Sequence, residues 1–224
     1  MKEQIVKFTD VSKKYKSGEG EQTVLDNISS AVDKGNFVGV TGDSGSGKTT
    51  LLHLMGGLED VSSGNVETCG KDLKRLSPIK LEEFRRKHIS YIFQDYNLIE
   101  ELTVWENIIF PSQLKGISLE EEKLIEILKI LKLEDKRNKF PSQLSGGEQQ
   151  RTAIVRSIVS KPDIILADEP TGNLDSRNTK VVAKLLQYVN KQYGTTIVMV
   201  THNIALLDYC TDRIKVEDGR IKND

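Results

Sequence analysis

Apolar residues fall along this chain in two different rhythms, and the change of rhythm divides it. Up to residue 93, and again after about residue 162, short unbroken apolar runs alternate with glycine-containing loops. Ile5, Val6 and Phe8, then residues 24–32, predict two early strands, with Ser17-Gly18-Glu19-Gly20-Glu21 as the turn between them. Phe37-Val38-Gly39-Val40-Thr41 predicts a buried strand, residues 50–55 a helix, Ser62-Ser63-Gly64-Asn65 a turn and residues 89–93 a strand. Ile164-Ile165-Leu166-Ala167 and Ile197-Val198-Met199-Val200 have the continuous apolar character of parallel strands covered on both faces. Near the end, Asp218-Gly219 between residues 214–216 and Ile221 predicts a hairpin.

From about 94 to 143 the glycines thin out and the spacing becomes helical. Leu124, Ile127, Leu128 and Leu131 stand at i, i+3, i+4 and i+7 with Glu and Lys between them, the stripe of an amphipathic helix with a core-facing side. Pro111 and Pro141 punctuate the segment. The pattern predicts a mostly helical subdomain inserted into an α/β core, without internal repeats or low-complexity stretches.

Composition narrows the class. The chain has 224 residues, 37% of them hydrophobic, enough for one substantial core with an insertion. A net charge of -1, from 32 basic and 33 acidic residues, gives no general affinity for nucleic acid or an anionic membrane. Arg85-Arg86-Lys87 and Lys136-Arg137 read as solvated faces. Cys69 and Cys210 lie far apart with no metal-like spacing, which suits reduced thiols in a cytoplasm. The opening Met1-Lys2-Glu3-Gln4 has no apolar signal core, and no run approaches the roughly 20 apolar residues that cross a bilayer. Any membrane role is expected to go through a partner.

The chemistry concentrates at Gly42-Asp43-Ser44-Gly45-Ser46-Gly47-Lys48-Thr49, which fits the phosphate-loop pattern G-x-x-x-x-G-K-[ST] between a strand and a helix. In such a loop backbone N–H groups wrap the phosphates, Lys48 reaches the outer ones and the Thr49 hydroxyl ligates Mg²⁺. Parallel sheets bind ligands beyond their carboxyl strand ends, so three strand ends would deliver Lys48, the Asp168-Glu169 pair and His202 to one edge. Asp168 is the expected Mg²⁺ partner and Glu169 the general base that polarises the attacking water. An adjacent Asp-Glu pair is otherwise an ordinary solvated strand end, and a lone histidine a structural one; the phosphate loop tips both readings. Tyr15, among Lys13, Lys14 and Lys16, reads on its own as a surface residue.

A second glycine run, Leu144-Ser145-Gly146-Gly147-Glu148-Gln149-Gln150-Arg151, opens a helix from Glu148 onward and would make another anion-binding N-terminus. One nucleotide does not need two such sites from one chain. Here the sequence strongly resembles the ATP-binding cassette ATPases over almost its whole length. The resemblance implies an α/β P-loop cassette core with an N-terminal antiparallel β subdomain and an inserted α-helical subdomain. The whole of 1–224 would be a single domain, with 1–93 and 162–224 as β subdomain and core and about 94–161 as the helical part. It implies ATP and Mg²⁺ as ligands, with Gly42, Asp43, Ser44, Gly45, Ser46, Gly47, Lys48, Thr49 and Thr50 around the phosphates. Tyr15 then matches the adenine-stacking aromatic, Gln94 the Q-loop glutamine that contacts the metal and takes part in catalysis, Leu174-Asp175 the D-loop and His202 the switch histidine. Ser145, Gly146, Gly147 and Glu148 match the signature, which in that family closes on the nucleotide of another subunit.

The runs Leu166-Ala167-Asp168-Glu169-Pro170-Thr171-Gly172-Asn173-Leu174-Asp175 and Phe93-Gln94-Asp95-Tyr96-Asn97-Leu98 are similar to a narrower group of lipoprotein-release, macrolide-export, antimicrobial-peptide-resistance and cell-division cassettes. That implies a transmembrane permease partner, a second ATPase subunit (two copies of this chain), no nucleic acid, and a place at the inner face of the cell membrane. It implies export or peptide resistance, with a cell-division regulator as the alternative. A cleft near 94–105, with Trp105 either in it or in the core, would receive the permease. A soluble cassette of translation or DNA repair lacks support, since the chain has neither tandem cassettes nor long coiled coils, and the signature argues against a plain kinase. Four positions depart from the family's usual residues: Asp43, Thr49, Glu148 and Asn203. None removes a catalytic group, and Asp43 is expected to face solvent.

Overall fold

Residues 3–18 and 20–222 are described by a computed structural model; Glu19, in the first turn, lies outside the described residues. Strand β1 (Gln4–Ser17) turns back on β2 (Gly20–Asp33), and β3 (Phe37–Thr41) runs through residues 42–47 into helix α1 (Lys48–Met55). Next come β4 (Ser63–Thr68), β5 (Lys71–Asp72), α2 (Pro78–His88), β6 (Ile89–Ile92), α3 (Val104–Leu114), α4 (Glu121–Ile130) and α5 (Gly146–Val159). The chain finishes with β7 (Ile164–Asp168), α6 (Ser176–Tyr193), β8 (Thr196–Val200), β9 (Asp212–Glu217) and β10 (Arg220–Lys222). The strands form two sheets, an antiparallel one in the order β2-β1-β4-β5 and a six-stranded one in the order β10-β9-β3-β8-β7-β6. In the second sheet every pair is parallel except β9 with β10.

Period-two alternation sorts the six-stranded sheet's side chains onto two faces. Ile164 and Leu166 of β7, with Val198 and Val200 of β8, pack into the layer shared with α1 and the antiparallel sheet, where Leu51, Leu52, Leu54 and Met55 are buried. Ile165, Ala167, Ile197 and Met199 point the other way, onto Val182, Ala183, Leu186 and Val189 of α6. A third apolar cluster joins Val104 and Ile108 of α3, Leu124 and Leu128 of α4, and Leu131 and Leu133. Helix α5 links this cluster to the sheet, because Val155 and Val159 enter it while Ile154 and Ile158 join the α6 layer. Both faces of the sheet are therefore dry, which is why its strands read as continuous apolar runs.

Several local expectations change. Ser63, Gly64 and Asn65 lie on β4 and only Ser62 remains a bend. Gly64 (φ 80) marks a close approach: a Cβ there would sit 2.3 Å from the Asp10 carbonyl oxygen, beside a register shift between Thr9 and Ser12. Such bulges break the alternation in β1, so the strand is longer than its sequence pattern, and Tyr15 stands on it instead of in a loop. Pro111 does not end α3; it sits in the last turn, where its missing N–H removes one bond. Arg85 is half-buried and donates to the Gly57 carbonyl (2.7 Å), unlike a solvated side chain. Trp105 is half-buried against the helical cluster. The Asp218-Gly219 hairpin forms with both residues at positive φ, 47 and 73. Burial pushes the free thiols up, Cys69 to about 12 and Cys210 to about 11. Among the described residues no helix is long and apolar enough to cross a membrane.

Candidate active site

The register of the parallel strands brings three chain ends level: Val40 pairs with Val200, and Val200 with Asp168. The loop after β3, Glu169 after β7 and His202 after β8 therefore meet at one edge. The loop is shaped by contacts that a side chain would block. A Cβ at Gly42 (φ 147) would lie 2.0 Å from the Val216 carbonyl oxygen on β9, and one at Gly47 (φ 103) 2.6 Å from the Leu25 side chain. The C-terminal hairpin backs this loop: Gly219 N–H donates to the Ser46 carbonyl (3.2 Å), and Asp26 N–H to the Gly219 carbonyl (2.9 Å). Lys48, almost fully buried, donates from Nζ to the carbonyls of Gly42 (3.0 Å) and Asp43 (2.6 Å). No side chain caps α1 and no acidic residue stands in its first turn, so nothing from those positions competes with an anion for its leading N–H groups. Ser46 Oγ is buried without a hydrogen-bonding partner among the described residues, while Asp43, Ser44 and Gly45 are exposed along an open cleft of about 500 Å³.

Thr49 Oγ1 donates to Asp168 Oδ2 at 2.8 Å, which joins the loop to the end of β7. Glu169 is held in the left-handed region (φ 47) by its N–H bond to the Val200 carbonyl (3.1 Å), a strain of about 1–3 kcal/mol. Its Oε2 accepts from the His202 N–H at 3.4 Å. Its Oε1 is buried without a hydrogen bond, although His202 Nε2 is 3.4 Å away. Burial raises the Glu169 carboxyl above the ordinary carboxylate range, and the His202 charge offsets this only in part. A half-buried carboxylate with one buried, unused oxygen beside a phosphate loop has the environment of a general base.

Gln94 is exposed on the turn after β6, whose Ile92 pairs with Ala167, so it stands over the same edge, with no side-chain bond to the cluster among the described residues. Tyr15 is anchored through its hydroxyl to Glu59 and lies 3.4 Å from Thr50 Oγ1. Glu59 also holds His53 (3.0 Å) and Lys13 (3.1 Å), whose ammonium lies 4.8 Å from the centre of the Tyr15 ring. Burial would raise the Glu59 carboxyl, but Tyr15, His53 and Lys13 outweigh it and hold the group low. The sequence pattern carries no signal for Glu59.

Helix α5 begins at Gly146, earlier than the expected Glu148, because Ser145 caps it. The cap is reciprocal: Ser145 Oγ accepts from the Glu148 N–H, and Glu148 Oε2 accepts from the Ser145 N–H (2.8 Å) and Oγ (2.9 Å). The Ser145 N–H, with some help from its hydroxyl, lowers the Glu148 carboxyl despite partial burial. Glu148 thus serves its own helix end. Arg156, which no motif in the sequence marks, donates from α5 to the carbonyls of Tyr96 (2.9 Å) and Asn97 (2.6 Å), two residues at positive φ just past Gln94. The Tyr96 hydroxyl would be 2.8 Å from a Cβ on Gly146, so the Gln94 turn and the start of α5 are packed directly against each other.

A phosphate loop, an Asp-Glu strand end, a switch-like histidine and a capped glycine helix on one α/β chain define an ATP-binding cassette. The chain belongs to the ABC transporter family, whose model matches residues 25–172. It is 39% identical to the lipoprotein-releasing system ATP-binding protein LolD of Buchnera aphidicola subsp. Acyrthosiphon pisum, over 98% of this chain and 97% of that protein. It is likewise 39% identical to the bacitracin export ATP-binding protein BceA of Halalkalibacterium halodurans, over 97% of this chain and 87% of the other. The solved dimeric structure of the ATP-binding cassette MJ0796 in a post-hydrolysis state, bound to ADP and Pi, matches with a TM-score of 0.90 at 39% identity, covering 97% of both chains.

Proposed function

We propose that this chain is the ATP-binding and ATP-hydrolysing subunit of a transporter, working as a dimer of two copies that drives a separate membrane permease for export or antimicrobial-peptide resistance. The observation that carries the reading is the shared edge of Lys48, the Thr49–Asp168 pair and the half-buried Glu169, whose Oε1 is unpartnered. The relatives named for lipoprotein release and bacitracin export support the permease partnership, and the dimeric cassette supports the pairing of two copies. The protein then sits at the inner face of the membrane through that permease. Its helical part, about 94–161, has an apolar cluster of its own, which supports treating it as a helical subdomain of a single domain.

In this reading the N–H groups of residues 42–48 cradle the phosphates, and Lys48 exchanges the Gly42 and Asp43 carbonyls for phosphate oxygens. Tyr15 offers its ring to adenine, with Glu59 fixing its hydroxyl. Thr49, Asp168 and Gln94 present hard oxygen donors that suit Mg²⁺, which would neutralise charge on the outer phosphates. Glu169 Oε1 takes the proton of the attacking water, and His202 steadies the carboxylate from the open side. The start of α5, at Ser145, Gly146 and Gly147, approaches the phosphates bound by the other copy. Replacement Glu169→Gln tests the reading: gel filtration with ATP and Mg²⁺ is expected to show a stable dimer. A monomer that still hydrolyses ATP would overturn the assignment of the base.

A further inference from the structure

At the opposite end of the sheet, one group of side chains has no task in this mechanism. Cys69 lies in the turn between β4 and β5, His88 ends α2, and Asp163 stands one residue before β7. A sulfur, an imidazole nitrogen and a carboxylate oxygen from these residues lie within 4.8 Å of one another. We propose that Cys69, His88 and Asp163 form a binding site for a borderline-soft divalent cation, with Zn²⁺ the best match.

The donors are set on fixed backbone. Cys69 N–H donates to the Ile5 carbonyl (2.7 Å), Asp163 N–H to the His88 carbonyl (3.0 Å), and Thr196 N–H to the Asp163 carbonyl (3.0 Å). The His88 ring rests on Phe84, with centroids 4.9 Å apart, and its Nδ1 meets Asp163 Oδ2. Turn geometry does not account for the cysteine. Cys69 (φ 46) and Gly70 (φ 69) link the paired residues Thr68 and Lys71 in a two-residue hairpin, where Asn-Gly is the favoured dipeptide. A thiol in the left-handed first position is a strained choice, and it directs sulfur toward the imidazole and carboxylate.

The chemistry of the set selects the ion. Sulfur, nitrogen and one carboxylate suit Zn²⁺, whereas Mg²⁺ requires a near-octahedral oxygen shell. Bonds of about 2.0–2.3 Å place tetrahedral donors about 3.5 Å apart. The sulfur must therefore swing inward by about 1 Å, and the ion displaces both the Cys69 thiol proton and the proton shared by His88 and Asp163, which pass to solvent. Asp163 is half exposed, leaving an entry path and a fourth corner for water. The nearby Lys34 ammonium is paired with Glu3 at 3.0 Å, and Lys34 and Lys115 both also attract the Asp163 carboxylate. Five residues of β7 at about 3.3 Å each separate this site from Asp168 by about 16 Å, so it is distinct from the Mg²⁺ position.

Reduced, EDTA-treated, nucleotide-free protein titrated with Co²⁺ as a coloured stand-in for Zn²⁺ tests the site. Thiolate-to-cobalt absorption should saturate at about one ion per chain, disappear on adding Zn²⁺, survive Cys210→Ser and vanish in Cys69→Ser. His88→Gln should weaken binding about tenfold or more. Cys69→Asn, which suits the hairpin, should keep basal ATPase activity and melt at or above the wild-type temperature without metal. Zn²⁺ should then raise the melting temperature of the wild type alone. Absence of thiolate absorption at stoichiometric Co²⁺, its persistence in Cys69→Ser, or an equal Zn²⁺ effect on Cys69→Asn would each refute the proposal.

Discussion

Helices α1 and α5 both begin at glycines and both are assigned to phosphate, yet their N-termini are finished in opposite ways. At α1 no side chain closes the end, and the approach is moulded by main chain from β2, β9 and the last hairpin pressing on Gly42 and Gly47. At α5 Ser145 and Glu148 satisfy the end reciprocally, and a Cβ on Gly147 would meet its neighbours, Arg151 Nη1 and Leu174 Cδ2 at 3.4 Å and the Asn173 carbonyl at 3.8 Å, at ordinary contact distance. The first site is complete within one chain; the second is stable on its own and offers a glycine surface to something outside. The difference teaches that a glycine can be required by its own fold or by a partner, and that the free space around it distinguishes the two.

Substitutions can break this comparison. The largest effect is expected from Glu169→Gln, which removes the base and should slow hydrolysis about 10³-fold in a phosphate-release assay while nucleotide binding to the monomer persists. Next is Gly147→Val, which the isolated chain should accommodate with stability changed by about 0.5 kcal/mol or less. It should reduce dimer-dependent hydrolysis about 100-fold, by holding the second half-site away from the phosphates. A parallel loss of monomer stability would show that Gly147 serves its own fold after all. Gly42→Ala should behave in the opposite sense, destabilising the monomer by about 1–3 kcal/mol in denaturant melts and weakening nucleotide binding before any dimer forms. The smallest effect is on the pH profile. Because burial raises the Glu169 carboxyl, it protonates at higher pH than an ordinary glutamate, so kcat should fall on acidification earlier than an unperturbed carboxylate would dictate. An acidic limb at the ordinary glutamate position would remove the buried-base argument.

The same contrast explains what is legible in the chain. Strands β7 and β8 can be read because both faces are dry, and the phosphate loop because its geometry demands glycines at fixed positions. The Asp218-Gly219 hairpin is equally plain, since its backbone demands such residues. Strand β1 outruns its apolar pattern because bulges interrupt the alternation, and Gly64 mimics a turn signal when it relieves a contact with Asp10. Glu59 and Arg156 are invisible for another reason. Their partners, Tyr15 and the carbonyls of Tyr96 and Asn97, are remote in sequence, and neither residue type is unusual on a surface. Cys69, His88 and Asp163 likewise meet only because the turn after β4, the end of α2 and the start of β7 converge. Motif spacing reports chemistry carried on one loop; it is silent where tertiary structure assembles the group.

The hairpin of β9 and β10 has a consequence for how the protein is made. The phosphate loop leaves the ribosome early, but its wall, the Val216 carbonyl and the Gly219 N–H, belongs to residues synthesised more than 160 positions later. A nascent chain that has already emerged through Lys48 still lacks the surface against which Gly42 and Ser46 are set. Competence to hold a nucleotide should thus await the synthesis of β9 and β10, so a ribosome-bound fragment ending before β9 should emerge with the motif and without the site.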